Sequence, residues 1–235
     1  MTTDYVFPPA AIPSVPVLGR TARYAVSRIF CVGRNYAAHA REMGSDPTRE
    51  PPFFFTKPAN ALLHVPPGAT VDLPYPPGTK NLHHEIELVV AIGAPVFRVT
   101  PEAAAAAVWG CAAGLDMTRR DLQNAAKDTG RPWDFGKAFE QSAVITDLVP
   151  VADAPLPLSG AVTLAVNGKE RQRGDLADLI WSVPEVVANL SHYYHLEPGD
   201  LIYTGTPEGV GAVVPGDLMT AEVAGVGALS VRVTA

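Results

Sequence analysis

The residues best equipped for chemistry stand in His83-His84-Glu85-Ile86-Glu87, which runs into the apolar stretch Leu88-Val89-Val90-Ala91-Ile92-Gly93. That stretch has the length and composition of a buried strand, so Glu85 and Glu87, two residues apart, project from one face. Two carboxylates side by side repel, and burial against a core adds to the cost, so a proton, a basic side chain or a cation must compensate. A cation held only by oxygens would be a hard divalent ion such as Mg2+ or Mn2+ rather than zinc. Two ion-paired glutamates at a sheet edge are the bland alternative. Neighbouring strand residues face opposite ways, so at most one of His83 and His84 could join the carboxylates, and neither is expected to bind metal.

Further groups are scattered along the chain. Asp116 ends the apolar strand Trp109–Leu115 and is a possible third carboxylate. His39 and Glu42 fall three apart on a helix read from Arg34 to Gly44, so they share a face. A carboxylate beside an imidazole fixes its tautomer and raises its basicity, as a general base requires, although such pairs also occur on plain surface helices. Lys57 ends the aromatic strand Phe53-Phe54-Phe55-Thr56, where it either faces a pocket or snorkels from an edge, and Lys137 sits among Trp133, Phe135 and Phe139. A buried lysine near carboxylates keeps its charge and can stabilise an oxyanion. Thr118 with Asp121 reads as a cap opening a helix to about Lys127, from which Arg120, Asp121 and Gln123 could reach a site or merely form ion pairs. Tyr203-Thr204-Gly205-Thr206-Pro207-Glu208-Gly209-Val210-Gly211 lacks the Gly-Lys-Ser/Thr of a P-loop. Its proline and glycines speak against a helix of the dinucleotide type, but its N–H groups and hydroxyls could hold a carboxylate.

The elements that must position these groups are mostly short strands. The 23 prolines and 20 glycines fall between apolar runs, as turns between strands do. Asn167-Gly168 signals a hairpin, and two Pro-Gly-Asp turns each introduce a strand. Thr100-Pro101-Glu102 starts one helix; Ser182-Val183-Pro184-Glu185 caps another that reads to about Tyr194. Residues 1–28 read as a small N-terminal lobe, ahead of a larger unit over 29–235. At 235 residues and a net charge of −6, without a basic cluster, the chain offers no grip on nucleic acid or a membrane surface. A small-molecule partner is expected. Two unpaired cysteines, Cys31 and Cys111, and the lack of a leader or an 18-residue apolar span suggest a soluble cytoplasmic protein.

Taken in order, Gly33-Arg34-Asn35-Tyr36, His39, Glu42, His83–Glu87, Leu115-Asp116-Met117-Thr118, Gly136-Lys137, Val166-Asn167-Gly168 and Thr204–Gly211 resemble the fumarylacetoacetate hydrolase family from about Ile29 to Val233. Within it, Pro52–Phe55, Arg119–Gln123, Gly130–Trp133 and Arg171–Asp175 are most similar to members that hydrolyse fumarylpyruvate in bacterial gentisate degradation. Related acylpyruvases and oxaloacetate decarboxylases share much of the pattern. The resemblance implies a mainly β fold with a few short helices, the mixed β-sandwich roll of the family, and a homodimer. It also implies Mg2+ or Mn2+ on Glu85, Glu87 and Asp116, and a His39–Glu42 base dyad on a segment that orders as a lid in relatives. Lys137 and Gln123 would assist the chemistry, and Thr206 would hold the pyruvoyl carboxylate. Arg34, Arg120 and Lys57 are candidates for the far charge of the substrate. The implied reaction is hydrolysis of the C3–C4 bond of a 2,4-dioxo acid, with oxaloacetate decarboxylation as the alternative.

Overall fold

The apolar run forms the strand Ile86–Ile92, buried at every position. Leu88, Val90 and Ile92 enter one apolar cluster, while Val89 and Ala91 enter a second on the opposite face. A strand covered on both faces carries no polar alternation, which accounts for the unbroken apolar sequence. Each buried Leu, Val or Ile side chain contributes about 1.5–3 kcal/mol. The structure, a computed structural model, describes residues 4–42 and 50–235.

Around this strand the chain builds an eight-stranded mixed sheet. Its spatial order is Phe53–Lys57, Arg28–Gly33, Asp200–Tyr203, Ile86–Ile92, Val108–Asp116, Ala143–Ile145 and Leu62–His64, with Val149–Pro150 also pairing on Val108–Asp116. A five-stranded sheet, in the order Lys169–Asp175, Ala161–Val166, Leu218–Val223, Gly227–Thr234 and Thr70–Pro74, contributes Leu164, Met219, Leu229 and Val231 to the first cluster. The second cluster takes Val15 and Val26 from the N-terminal segment, where Ser14–Pro16 pairs with Arg23–Ala25. A three-stranded sheet of Thr118–Arg119, Leu82–His84 and Gly211–Val213 stands beside the site. The helices are short: α1 (Ala37–Glu42), α2 (Pro101–Ala107), α3 (Arg120–Asp128), α4 (Asp134–Lys137) and α5 (Val183–Leu190). Among the described residues no helix is long and apolar enough to cross a membrane.

The fold is the mainly β architecture with few helices that the sequence implies. Thr100 caps α2 through a 3.4 Å bond from the Ala103 N–H, and Ser182 with Glu185 forms the capping box of α5. The hairpin turn at Asn167-Gly168 has both residues at positive φ, 52° and 76°, as its tight connection demands.

Three local readings change. Glu85 does not lie inside one long strand: the chain passes there from the three-stranded to the eight-stranded sheet. Helix α5 ends at Leu190 rather than near Tyr194. Thr118 caps nothing; it is a strand residue, and α3 begins at Arg120 without a side-chain cap. Of the helix read over Arg34–Gly44, the segment Ala37–Glu42 is helical, while Met43 and Gly44 lie outside the described residues.

Candidate active site

Strand register brings the three carboxylates together. Ile86 pairs with Leu115 and Glu87 with Gly114, so Asp116 comes opposite Glu85, and its N–H donates to the Glu85 carbonyl at 2.9 Å. One oxygen from each of Glu85, Glu87 and Asp116 lies within 4.8 Å of the others, and all three residues are buried. Gly114 fits because a Cβ there would stand 2.7 Å from Val89 Cγ2 and 2.8 Å from the Val144 carbonyl oxygen.

Three buried cations, Lys57, Arg120 and Lys137, surround this acidic group. Lys137 Nζ donates to Glu85 Oε2 at 2.8 Å, Asp116 Oδ2 at 2.6 Å and Thr118 Oγ1 at 2.6 Å. An ammonium has three protons, so none remains for an oxyanion in this arrangement. Burial pushes the Lys137 pKa down, but Asp116 and Glu85 more than offset it and the net shift is upward. Arg120 pairs with Glu85, and its other terminal nitrogen donates to Gln123 Oε1 at 2.5 Å. Burial would raise the Glu85 carboxyl, yet Lys137 and Arg120 prevail and hold it well below the usual carboxylate range. Glu87 behaves oppositely. Burial, followed by the Asp116 and Glu85 charges, pushes it well above that range despite a 2.7 Å bond from the Gly205 N–H.

The donor set fits a hard divalent cation. Asp116 Oδ1 is buried with no hydrogen bond directed at it. Lys57 Nζ stands 2.8 Å away, but its bonds go to the carbonyls of Met117 at 3.1 Å and Lys137 at 2.5 Å. With Lys57 satisfied by those two carbonyls, Asp116 Oδ1 and the Glu87 carboxyl keep acceptor capacity for a divalent cation, whose charge would offset the crowding of three buried carboxyl groups.

The remaining groups line one cleft with Glu85 and Glu87: Arg34, His39, Arg120, Gln123, Lys137 and Thr206. His39 is buried, and its Nδ1 lies 3.1 Å from Glu42 Oε2. That contact places the ring proton on Nδ1 and leaves Nε2 as the basic nitrogen. The hydrogen bond from His39, helped by the Gly209 N–H at 3.2 Å, keeps the Glu42 carboxyl below its ordinary value. Gly209 is at φ 89°, and a Cβ there would meet the Arg171 carbonyl oxygen at 1.9 Å.

Lys57 is displaced from its expected role. It is packed under Asp116 and does not line the cleft, so it cannot read the far end of a substrate. Arg120 is likewise committed to Glu85 at the cleft floor. Gln123 offers its NH2 end to the cleft because Arg120 occupies its carbonyl oxygen.

Two residues escaped sequence reasoning. Thr118, with the sequence of a cap, instead donates its hydroxyl to Glu85 Oε1 at 3.1 Å while accepting from Lys137. Gln172 is fully buried and joins the glutamate strand to the glycine-rich loop. Its Oε1 accepts from the Ile86 N–H at 3.3 Å, and its Nε2 donates to the Pro207 carbonyl at 2.8 Å. Those two backbone partners fix the amide orientation, so His84 Nδ1, 2.8 Å from Oε1, carries the proton. By the same logic Thr206 Oγ1 accepts from Nε2 at 2.8 Å, and its own proton is left for a ligand in the cleft. The signal for Gln172 was a polar residue inside a strand with two arginine neighbours, which looks like solvent-facing sequence.

This β roll, with three acidic side chains gathered at its central strands, is the architecture of the fumarylacetoacetate (FAA) hydrolase family, and the chain belongs to it: residues 28–234 match the C-terminal domain of that family. Among its relatives is a fumarylpyruvate hydrolase of a Ralstonia species, 52% identical over 188 residues, which cover 80% of this chain and 95% of that protein. The crystal structure of fumarylpyruvate hydrolase from Pseudomonas aeruginosa in complex with Mn2+ and pyruvate superposes with a TM-score of 0.97 at 53% identity, covering 98% of this chain and 99% of that one. An oxaloacetate tautomerase of Escherichia coli (strain K12) is 39% identical over 86% of this chain and 90% of its own length.

Proposed function

We propose that the protein is a Mg2+- or Mn2+-dependent hydrolase that cleaves 3-fumarylpyruvate, a 2,4-dioxo acid, between C3 and C4 to give fumarate and pyruvate. The observation that carries this reading is the convergence, in one cleft, of an all-oxygen cation site with an imidazole whose Nε2 is free to act as a base. The close relatives named fumarylpyruvate hydrolase support the substrate.

Glu85, Glu87 and Asp116 would hold the cation, which when bound supplies Lewis-acid polarisation of the pyruvoyl oxygens. Thr206 donates its free hydroxyl proton to the pyruvoyl carboxylate. His39 Nε2 takes a proton from a water molecule as the oxygen bonds to C4, and Glu42 stabilises the imidazolium that results. The Gln123 NH2 orients that water. The C4 oxyanion then collapses, the C3–C4 bond breaks, and its electron pair moves to the pyruvate fragment as an enolate. Protonation of C3 by His39 returns the ring to its starting state. Lys137 keeps Glu85 and Asp116 aligned. A cytoplasmic homodimer acting on products of gentisate-type ring opening completes the proposal, with light scattering as the check on its assembly.

Glu87→Ala is expected to abolish metal-dependent turnover; full activity after exhaustive removal of divalent ions would overturn the proposal. Parallel assays with fumarylpyruvate and oxaloacetate, following pyruvate and CO2 and the keto–enol equilibrium of oxaloacetate, distinguish hydrolysis from decarboxylation and tautomerisation.

A further inference from the structure

Helix α3 runs along the cleft from floor to mouth. Arg120, Gln123, Asn124 and Lys127 all line it, at spacings of three, four and seven residues that place them on one helical face. Burial decreases along that stripe: Arg120 and Gln123 are buried, whereas Asn124 and Lys127 are exposed. Its inner end is tied to Glu85 through Arg120. The cleft-lining cations divide in the same way. Arg120 and Lys137 are taken by the carboxylates. Arg34 and Lys127 have no carboxylate partner among the described residues, although Arg34 stacks over the Phe53 ring at 5.6 Å.

We propose that Lys127 and Arg34 form the subsite for the far carboxylate of the substrate, and that α3 sets the chain length accepted. This rests on the reading of the site as one for 2,4-dioxo acids. At 1.5 Å per residue, Lys127 stands roughly 10 Å along the helix from Arg120. An extended chain advances roughly 3.5 Å per three bonds, so the six bonds from C1 to C7 of a seven-carbon diacid span roughly 7 Å. A flexible lysine covers the difference. The four-carbon oxaloacetate spans about half as much and leaves its second carboxylate short of Lys127. Trp133, which also lines the cleft, packs edge-on against Phe53 and offers an aromatic wall to a flat conjugated acyl group.

The test uses Mn2+-loaded protein and two non-cleavable probes of equal length, 2-oxoheptanedioate and 2-oxoheptanoate, with affinities measured by calorimetry. The wild type is expected to favour the diacid about tenfold, the scale of a charge-assisted bond at a partly exposed site. Lys127→Met and Arg34→Met should each reduce that preference, the double variant should erase it, and Lys127→Arg should retain it. The kcat/KM ratio of fumarylpyruvate to acetylpyruvate should fall in step. A preference that survives in the double variant, or an equal loss for both probes, overturns the subsite. Absence of any fumarylpyruvate turnover in the wild type would overturn the hydrolase reading instead, and the probe affinities would still decide the subsite.

Discussion

The separation of duties among the polar side chains rests on which hydrogen-bonding capacities are already spent. His39 has committed Nδ1 to Glu42, so the base is Nε2, and His39→Ala is expected to lower kcat by roughly two orders of magnitude or more. Mn2+ affinity should be retained; a comparable loss of metal binding would show that the histidine holds the site together instead. Gln172 governs Thr206 in a similar way. Gln172→Glu keeps the shape but turns a donor into an acceptor, so the Thr206 proton would be drawn back toward residue 172 rather than offered to the ligand. The expected outcome is a pyruvate affinity weaker by about tenfold, the scale of one charge-assisted bond. Thr206→Val should produce a similar loss, and the two substitutions together should fall short of additivity. The Glu85/Glu87 pair was legible in sequence because two glutamates on one face next to an apolar run demand compensation, whereas Asp116 as the third ligand came from the family resemblance. Gln172 was not, since an amide in a polar strand carries no charge anomaly, and only its two backbone partners reveal its orientation.

Elements fix how accurately those side chains meet. Strand and turn positions could be read from Pro, Gly and Asn punctuation because a turn's backbone angles select few residue types. The opening of α3 could not, since Thr118 satisfies any local capping rule and is recruited by the buried Lys137 and Glu85 from distant sequence. The glycine-rich loop shows the same dependence on long-range packing. Gly209 supports Glu42 through its N–H, and the space above its Cα is filled by the Arg171 carbonyl. Gly209→Ala therefore forces the loop away at a positive φ, a strain of about 1–3 kcal/mol before the clash is counted. A lowered Tm with a larger fall in kcat is expected, because the displaced loop no longer holds the carboxylate that orients His39. An unchanged kcat would show that Glu42 does not need this anchor.

At the scale of the whole molecule, the two-faced central sheet places a highly charged site inside an apolar core, and the resemblance implies its three carboxylates without showing how they are neutralised. Three carboxyl groups face three buried cations, so the chain can fold around the site before any metal arrives. Removing divalent ions is accordingly expected to stop turnover while leaving the circular dichroism spectrum unchanged. Lys137 is the pivot, since of the three buried cations it alone bonds to the carboxylates of both Glu85 and Asp116. In Lys137→Met the two carboxylates face each other without their shared counter-charge, and loss of one partner from a buried ion pair costs about 3–5 kcal/mol. The metal-free variant should melt well below the metal-free wild type. A cation can take over the missing charge, and at a hundredfold excess over its Kd a bound ligand stabilises a fold by about 2.7 kcal/mol. Mn2+ titrations followed by Tm should thus recover much of the variant's loss and raise the wild type by less, because in the wild type the ion must compete with the Lys137 ammonium. Equal increments in the two proteins would mean that Lys137 does not occupy the electrostatic place of the cation.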